Sequence, residues 1–436
     1  MITRQTSPVF PSPVDPVTGL IKWVYDLPVE PGEPALFNAA VKMADTSRYL
    51  GVPCYDQNGG SGLTRKSARQ AAIGEGLERY CASACDPGRL IFGTANDLSR
   101  HHECVPPESF ALFHPEQQAP YPIFTRDLPI AWIEGVSLIH HRPMLVPACL
   151  VCLPYQPQFL DQGEQGVGAA ISTGLACGTT VEAALMSGIC ECIERDAVML
   201  TWLNRLPMPT ADITASPKLA SLYHERFARD GLRYWLIDIT TDLPVPTMLC
   251  LVIDERTDPP MISAGGASSL DPVHAATKAM IEAVQTREWG KVLPGDKAPA
   301  LRADYANVRD FEDHVVLYAH GDMLPSLDFL NKAAPRQATS WNSSGSGNLH
   351  HDLQMVLDML RHHQIEVIAL DLTTPDVAAC GYSVVKVLMP ALIPLYADYR
   401  ERYLGGQRLY EVPRILGFTS ENTTLASINP DPHPYP

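Results

Sequence analysis

The sequence predicts a mixed α/β fold, sheets covered by packed helices, and three observations point to it. Short runs rich in β-branched and apolar residues, such as YWLIDIT, VPTMLCLVID and YSVVKVLMP, read as strands. Between such runs lie stretches like HHDLQMVLDMLRHH, whose apolar residues recur at helical spacing. Three times, a small-residue segment (NGGSGLT, STGLACGTT and GGASSL) runs into a long helical pattern. Strands alternating with amphipathic helices indicate a mixed domain. Of the 436 residues 46% are apolar, enough for a sizeable core, and no tandem repeat of solenoid length occurs.

Residues 1–50 read as an N-terminal arm leading into the core, irregular where prolines crowd, with GLIKWVYDL as a short edge strand. Residues 51–436 form the main domain. Its first turn, Asn58 to Gly62, precedes a helix capped by Thr64, with Ala68, Ala72, Ile73, Leu77 and Tyr80 as the apolar stripe. Residues 90–160 hold prolines and aromatics and read as strands and connections that end in the apolar run MLVPACLVCLPY. A second helix occupies residues 180–204, two strands follow, and a third helix starts after GGASSL. From Glu312 to His350 the chain is polar, includes SWNSSGSGN, and reads as a mobile surface loop or a region closing over something. A helix, two strands and a proline-rich tail complete the order.

A formal charge of −16 without any lysine- or arginine-rich run argues against nucleic acid and anionic membrane as partners. The field favours a basic segment or a cationic cofactor instead. No apolar stretch reaches the roughly 18 residues of a membrane span, and the N-terminus lacks a signal-peptide core, so a cytoplasmic protein is expected. Eleven scattered cysteines suit reduced thiols, and Cys149 and Cys152 read as buried thiols rather than half a zinc site. The pairs His101-His102, His350-His351 and His362-His363 point to different sides of their elements and read as solvated.

Chemistry concentrates in two helices. Glu75, Glu78 and Arg79 share an ExxER spacing with Glu191, Glu194 and Arg195, which sets two carboxylates and a guanidinium on one helical face. A single such motif is an ordinary solvated face. Two of them, each after a glycine-rich segment and each among small and apolar neighbours, put like charges together where a divalent cation would relieve the repulsion. Magnesium held by Glu75, Glu78, Glu191 and Glu194 fits that need, with Arg79, Arg195 and Arg287 positioned for phosphoryl charge. On the third helix Glu282 and Gln285 stand at i and i+3 beside Arg287. Neither a Walker A motif nor a kinase-type glycine loop is present.

The stretches GEGLERY and ECIERDA with their glycine-rich leads resemble the ATP-binding core of the YcaO family, and the resemblance runs from Asp15 to the end. The terminus Pro432-His-Pro434-Tyr-Pro436 is similar to the PxPxP ending of YcaO cyclodehydratases that form azolines. The resemblance implies a YcaO-type ATP-binding fold with ATP and Mg2+ as cofactors. It implies nucleotide contacts by Ser61, Arg79, Glu182, Arg195, Glu282, Gln285 and Arg287, and metal ligation by Glu75, Glu78, Glu191 and Glu194. Arg195, Arg287 and the Pro436 carboxylate take the catalytic roles. Three positions depart from the family pattern: Ser61 stands where a lysine is usual, Ala71 where a serine is, and Ala183 where a glutamate is, with Glu182 beside it and Arg65 or Lys66 as substitutes for the lysine.

The implied activity is ATP-dependent cyclodehydration of Cys, with Ser and Thr as further targets, in a ribosomally made precursor peptide, giving thiazoline or oxazoline. The implied partners are the precursor peptide, an E1-like leader-binding protein, a flavin dehydrogenase and a second copy in a homodimer. Two alternatives stay open at this point: a YcaO enzyme that makes thioamides or amidines, and a catalytically weak scaffold in a peptide-modifying complex.

Overall fold

The computed structural model describes residues 11–52, 54–332 and 339–436. The strands in chain order are β1 (Ile21–Leu27), β2 (Phe37–Met43), β3 (Gln57–Gly62), β4 (Leu90–Gly93), β5 (Ile130–Ser137), β6 (Arg142–Pro147) and β7 (Leu175–Gly178). They continue with β8 (Leu232–Asp238), β9 (Thr247–Asp254), β10 (Met261–Ser268), β11 (Ile368–Asp371) and β12 (Ser383–Leu388). Three antiparallel sheets result: β1-β2-β3, β10-β9-β8, and β4-β5-β11-β12-β7 with β6 also on β5. The edge strand expected at GLIKWVYDL is β1, and the sheet it joins spans the expected arm boundary at residue 50.

A long helix follows each small-residue segment: α1 (Arg65–Ser83), α2 (Val181–Leu203) and α3 (Pro272–Val292). Side chains cap all three starts, as sequence reasoning expected at Thr64. Thr64 accepts from the Ser67 N–H in a capping box, Thr180 from Ala183 and Asp271 from Val273 and His274.

The segments before these helices were expected to be turns, yet Asn58 to Gly62, Leu175 to Gly178 and the GGAS of residues 265–268 lie in β3, β7 and β10. Glycine serves close approach here. A Cβ on Gly60 would sit 2.3 Å from the Ala72 nitrogen, one on Gly178 2.7 Å from that of Ala184, and one on Gly265 2.3 Å from that of Ala283. Each helix backbone therefore lies directly on a strand. Glycine inside a strand commonly marks this arrangement.

The polar reading of residues 312–350 also needs correction. Phe311–His320 is a helix, α4, whose Val315, Val316, Leu317 and Tyr318 are buried, and a 3-10 stretch covers Leu324–Lys332. Acidic residues at its first turn gave the segment its polar look while its apolar face enters the largest core cluster. Residues 339–348 form an ordered connection tied down by Ser344 and Leu270 before α5 (Leu349–His362), and residues 333–338 lie outside the described part. A last helix, α6 (Gln407–Ile415), precedes the tail.

Cys149 is a buried free thiol as expected, but Cys152 is not free: it is bonded to Cys85, with the Cα atoms 5.8 Å apart. The pairing joins the end of α1 to the turn after β6, where the Leu153 N–H also donates to the Ala82 carbonyl. A separation of 67 residues hid it from sequence reading. Among the described residues no helix is long and apolar enough to cross a membrane.

Candidate active site

The two ExxER helices are built alike. On α1, Glu75 accepts the Gly59 N–H of β3 at 3.1 Å through Oε2, while its Oε1 lies 3.4 Å from Arg79 Nη2. On α2, Glu191 accepts the Gly174 N–H at 3.0 Å through Oε2, and its Oε1 lies 3.3 Å from Arg195 Nη2. The second glutamates are anchored too. Glu78 accepts the Cys177 N–H of β7 at 2.8 Å, which ties α1 to the strand that precedes α2, and Glu194 accepts the hydroxyl of Tyr435. Backbone and tail donors thus hold one oxygen of each carboxylate.

These carboxylates are crowded together. Burial, offset in part by Arg79 and reinforced by repulsion from Glu191, raises Glu75 above its ordinary carboxylate range. Burial first, then Glu191 and Glu75, push Glu78 up to about 8. On α3, burial and the charges of Glu194 and Glu191 push Glu282 up to about 7, although Lys278 Nζ stands 3.6 Å from it. An arrangement that makes carboxylates hold their protons near neutrality is short of positive charge.

Among the described residues no three carboxylate, imidazole or thiol groups converge closely enough to hold a metal by themselves. Magnesium does not need that, since it keeps several waters and takes one or two carboxylates together with nucleotide phosphates. The arginines fit the same partner. Arg79 Nη1 and Arg195 Nη1 are buried and find no hydrogen-bond acceptor among the described residues, so an anion would satisfy both. Carboxylates for a divalent cation and orphaned guanidinium donors for phosphate are the donor set that Mg2+ and ATP require.

The tail supplies what sequence reading did not foresee in detail. Residues 432–435 are buried, not a loose end. Prolines lack an N–H, so their carbonyls are what must be satisfied, and side chains do so. Tyr399 donates to the Pro430 carbonyl at 2.7 Å, Trp202 to that of Asp431 at 2.8 Å and Tyr318 to that of Pro432 at 2.6 Å. The His433 ring stacks on His314 at 4.1 Å and also packs edgewise on Tyr396. The path ends with Tyr435 under the Arg195 guanidinium, whose carbon is 4.4 Å from the ring centre. Its hydroxyl is also 3.4 Å from Glu282. Gly266 on β10 leaves the space, since a Cβ there would come 2.7 Å from that hydroxyl.

Not every expected site residue joins this group. Gln285 reaches the site wall, its Nε2 3.7 Å from where a Gly59 Cβ would be. Ser61 is spent on a cross-strand bond of 2.6 Å to Asn38, and Arg65 pairs with Asp26 rather than replacing the family lysine. Ala71 and Ala183 lie against Gly60 and Gly178, their Cβ atoms 2.7 and 3.1 Å from where a Cβ on those glycines would be. Glu182 is at the half-exposed start of α2, paired with His350 at 2.9 Å and about 13 Å of helix rise from Glu191.

Arg287 is placed elsewhere altogether. Its five N–H groups are taken by Asp254 (2.9 and 2.6 Å), Glu33 (2.7 and 3.2 Å) and Glu288 (2.7 Å), in a buried ion network that ties α3 to the N-terminal arm. No donor remains for a phosphoryl group.

Residues 59–393 match the family model described as YcaO cyclodehydratase, ATP- and Mg2+-binding. An uncharacterized protein of Methanothermobacter thermautotrophicus is 29% identical over 342 residues, which is 76% of this chain and 80% of that protein. Among solved structures, one described as a heterocyclase in complex with substrate and cofactor superposes with a TM-score of 0.77 at 23% identity over 97% of this chain. This chain spans 56% of that heterocyclase chain. The structure of YcaO from Methanopyrus kandleri bound with AMPPCP and Mg2+ gives a TM-score of 0.58 at 18% identity, covering 87% of each chain. The matched model, which spans both ExxER helices and all of α3, places this chain in the YcaO family, whose members bind ATP and Mg2+.

Proposed function

We propose that this protein is an ATP-dependent cyclodehydratase that converts Cys, and also Ser or Thr, of a ribosomally made peptide into thiazoline or oxazoline. The observation that carries this reading is the buried tail that brings Tyr435, the neighbour of Pro436, onto Glu194. A tail built into the carboxylate cluster is suited to chemistry there.

The reaction must remove an amide oxygen, a poor leaving group. The side-chain thiol or hydroxyl of the peptide attacks the preceding carbonyl carbon and forms the new C–S or C–O bond. Its proton passes to the carboxylate of Pro436. The carbonyl oxygen then takes the γ-phosphoryl group of ATP, the C–O bond breaks, and phosphate leaves as the amide nitrogen gives up its proton and the C=N bond forms. The products are azoline, ADP and phosphate.

The residues of this chain bind and orient. Glu75, Glu78, Glu191 and Glu194 hold magnesium, and the Nη1 donors of Arg79 and Arg195 bind phosphate oxygens. Bound magnesium offsets the negative charge that develops on those phosphates. Tyr435 keeps Glu194 and Arg195 in register with the tail. An E1-like partner presents the leader of the precursor, a homodimer is the working assembly, and a flavin dehydrogenase takes the azoline onward to azole.

The test is the mass of a precursor peptide incubated with this protein, its leader-binding partner, ATP and Mg2+. Loss of one water per modified residue, with stoichiometric ADP, is expected. Replacement of oxygen by sulfur would assign the thioamide reaction, and no change of mass with no ADP would leave a scaffold.

A further inference from the structure

Lys386 is the odd residue of β12, a lysine in the apolar run SVVKVL, and it is only 2% exposed. Its surroundings are apolar, since it lines a cavity with Ile171, Cys192, Leu388, Met389 and Leu392. A buried lysine usually pairs with a carboxylate. This one donates instead to two backbone carbonyls, Ile171 at 2.7 Å and Thr173 at 2.8 Å. Those carbonyls stand just before β7, outside its ladder with β12. Burial lowers the ammonium to about 8.

The same turn carries the anchor of Glu191. Gly174 follows Thr173 in the left-handed region, with φ of +79°, and its N–H is the one that Glu191 Oε2 accepts at 3.0 Å. Its carbonyl accepts the Val387 N–H at 2.7 Å. Two successive residues of β12 therefore hold one turn, Lys386 by its side chain and Val387 by its backbone. An apolar residue of the same length would fill the space and leave both carbonyls unsatisfied.

We propose that Lys386 is a positioning residue for the metal site: it locks the Ile171–Gly174 turn so that the Gly174 N–H fixes the Glu191 carboxylate for Mg2+. This rests on the reading of Glu191 as a magnesium ligand. A merely structural lysine would change thermal stability and leave metal affinity alone.

The experiment titrates Mg2+ against the full chain with the non-hydrolysable AMPPCP and reads the rise in Tm. Lys386→Met should raise the half-saturating Mg2+ by at least about tenfold, the range seen when a group that orients a metal ligand is lost. Lys386→Arg, which keeps two donors, should stay within a few-fold of the parent, and Lys386→Gln, with a shorter reach, should fall between. If Lys386→Met does not fold, the Arg and Gln variants still give the ordering. Equal Mg2+ midpoints in all folded Lys386 variants, alongside a weakened Glu191→Gln, overturn the inference. An unchanged midpoint in Glu191→Gln overturns the magnesium reading and the inference with it.

Discussion

The hydroxyl of Tyr435 donates its hydrogen bond to the carboxylate of Glu194, 241 residues earlier in the chain. This bond joins the last turn of the tail to the helix that carries half of the carboxylate cluster. Both side chains are buried, at 1% and 2% exposure, so the donor cannot be replaced by water at no cost. Tyr435→Phe keeps the ring on Arg195 and removes only this donor. The variant should lose about 1.5–3 kcal/mol of stability, as for a hydrogen bond to a charged group, measured by denaturant unfolding. Its ATP turnover should fall more than tenfold, on the order of the same energy, if Glu194 shifts.

Removing a single carboxylate tests the metal reading. Glu78→Gln keeps an acceptor for the Cys177 N–H and removes the buried charge that burial first, and then Glu191 and Glu75, disfavour. Glu194→Gln likewise keeps an acceptor for Tyr435. Both should lose ATP hydrolysis by at least about a hundredfold, because a neutral amide binds magnesium poorly. The Tm without ligand should be unchanged or higher for Glu78→Gln. Parent-like turnover in both variants would remove the two helices from the active site.

The pH dependence has a defined sign. Glu78 has a folded value of about 8 against an ordinary 4.5, so the folded state holds a proton that the unfolded state releases earlier. Its contribution to stability is complete below about 4.5 and is lost as pH rises through about 8. Glu282, raised to about 7 by burial first, acts in the same direction over a lower window. The ligand-free protein should therefore lose Tm between about pH 5 and about pH 8, and Mg2+ with AMPPCP, which needs ionised carboxylates, should restore more Tm at the higher pH. A ligand-induced shift that shrinks as pH rises would contradict this.

Arg287 separates a structural role from a catalytic one. Its side chain is 2% exposed and pairs with Asp254 and Glu33, at 3% and 9%. Arg287→Met removes the buried cation of this network while Arg256 stays on Asp254 and Lys291 on Glu33, and should cost up to about 3 kcal/mol, the low end for one partner lost from a buried ion pair. The folded fraction should keep the parent affinity for Mg2+ and AMPPCP. Lost nucleotide affinity at parent stability would return Arg287 to the phosphoryl site.

Much of this was legible in the chain. The i, i+3, i+4 spacing around Glu75 and Glu191 sets its groups on one face of any helix, so the paired sites followed once two helices were read. A role for the tail was legible only through the likeness of its alternating prolines to the PxPxP ending. What failed depended on distance in sequence. Glycines at 60, 178 and 265 read as turns because nothing local shows that a helix backbone will lie 2.3–2.7 Å from their missing Cβ atoms. Arg287 stands near Gln285 in sequence, but its direction is set by Glu33, 254 residues away. Tyr435 carried no signal beyond its place between prolines. Lys386 did carry one, an ionisable residue inside an apolar strand, which is a reason to ask what it holds.

The tail is the most direct test of the central claim, and its burial decides how to make it. Deleting Pro432 to Pro436 would strip His433 and Tyr435 from the core and unsettle the fold. Appending glycine after Pro436, which is partly exposed, moves the carboxylate and spares that packing. The measurement is the rate of water loss from the precursor peptide, followed by mass spectrometry with ATP, Mg2+ and the leader-binding partner, in parent and extended chains of equal Tm. The account predicts one water lost per modified residue in the parent and a rate at least about a hundredfold lower in the extended chain, within the span of general-base catalysis. Equal rates, or sulfur in place of oxygen in the product, would contradict it.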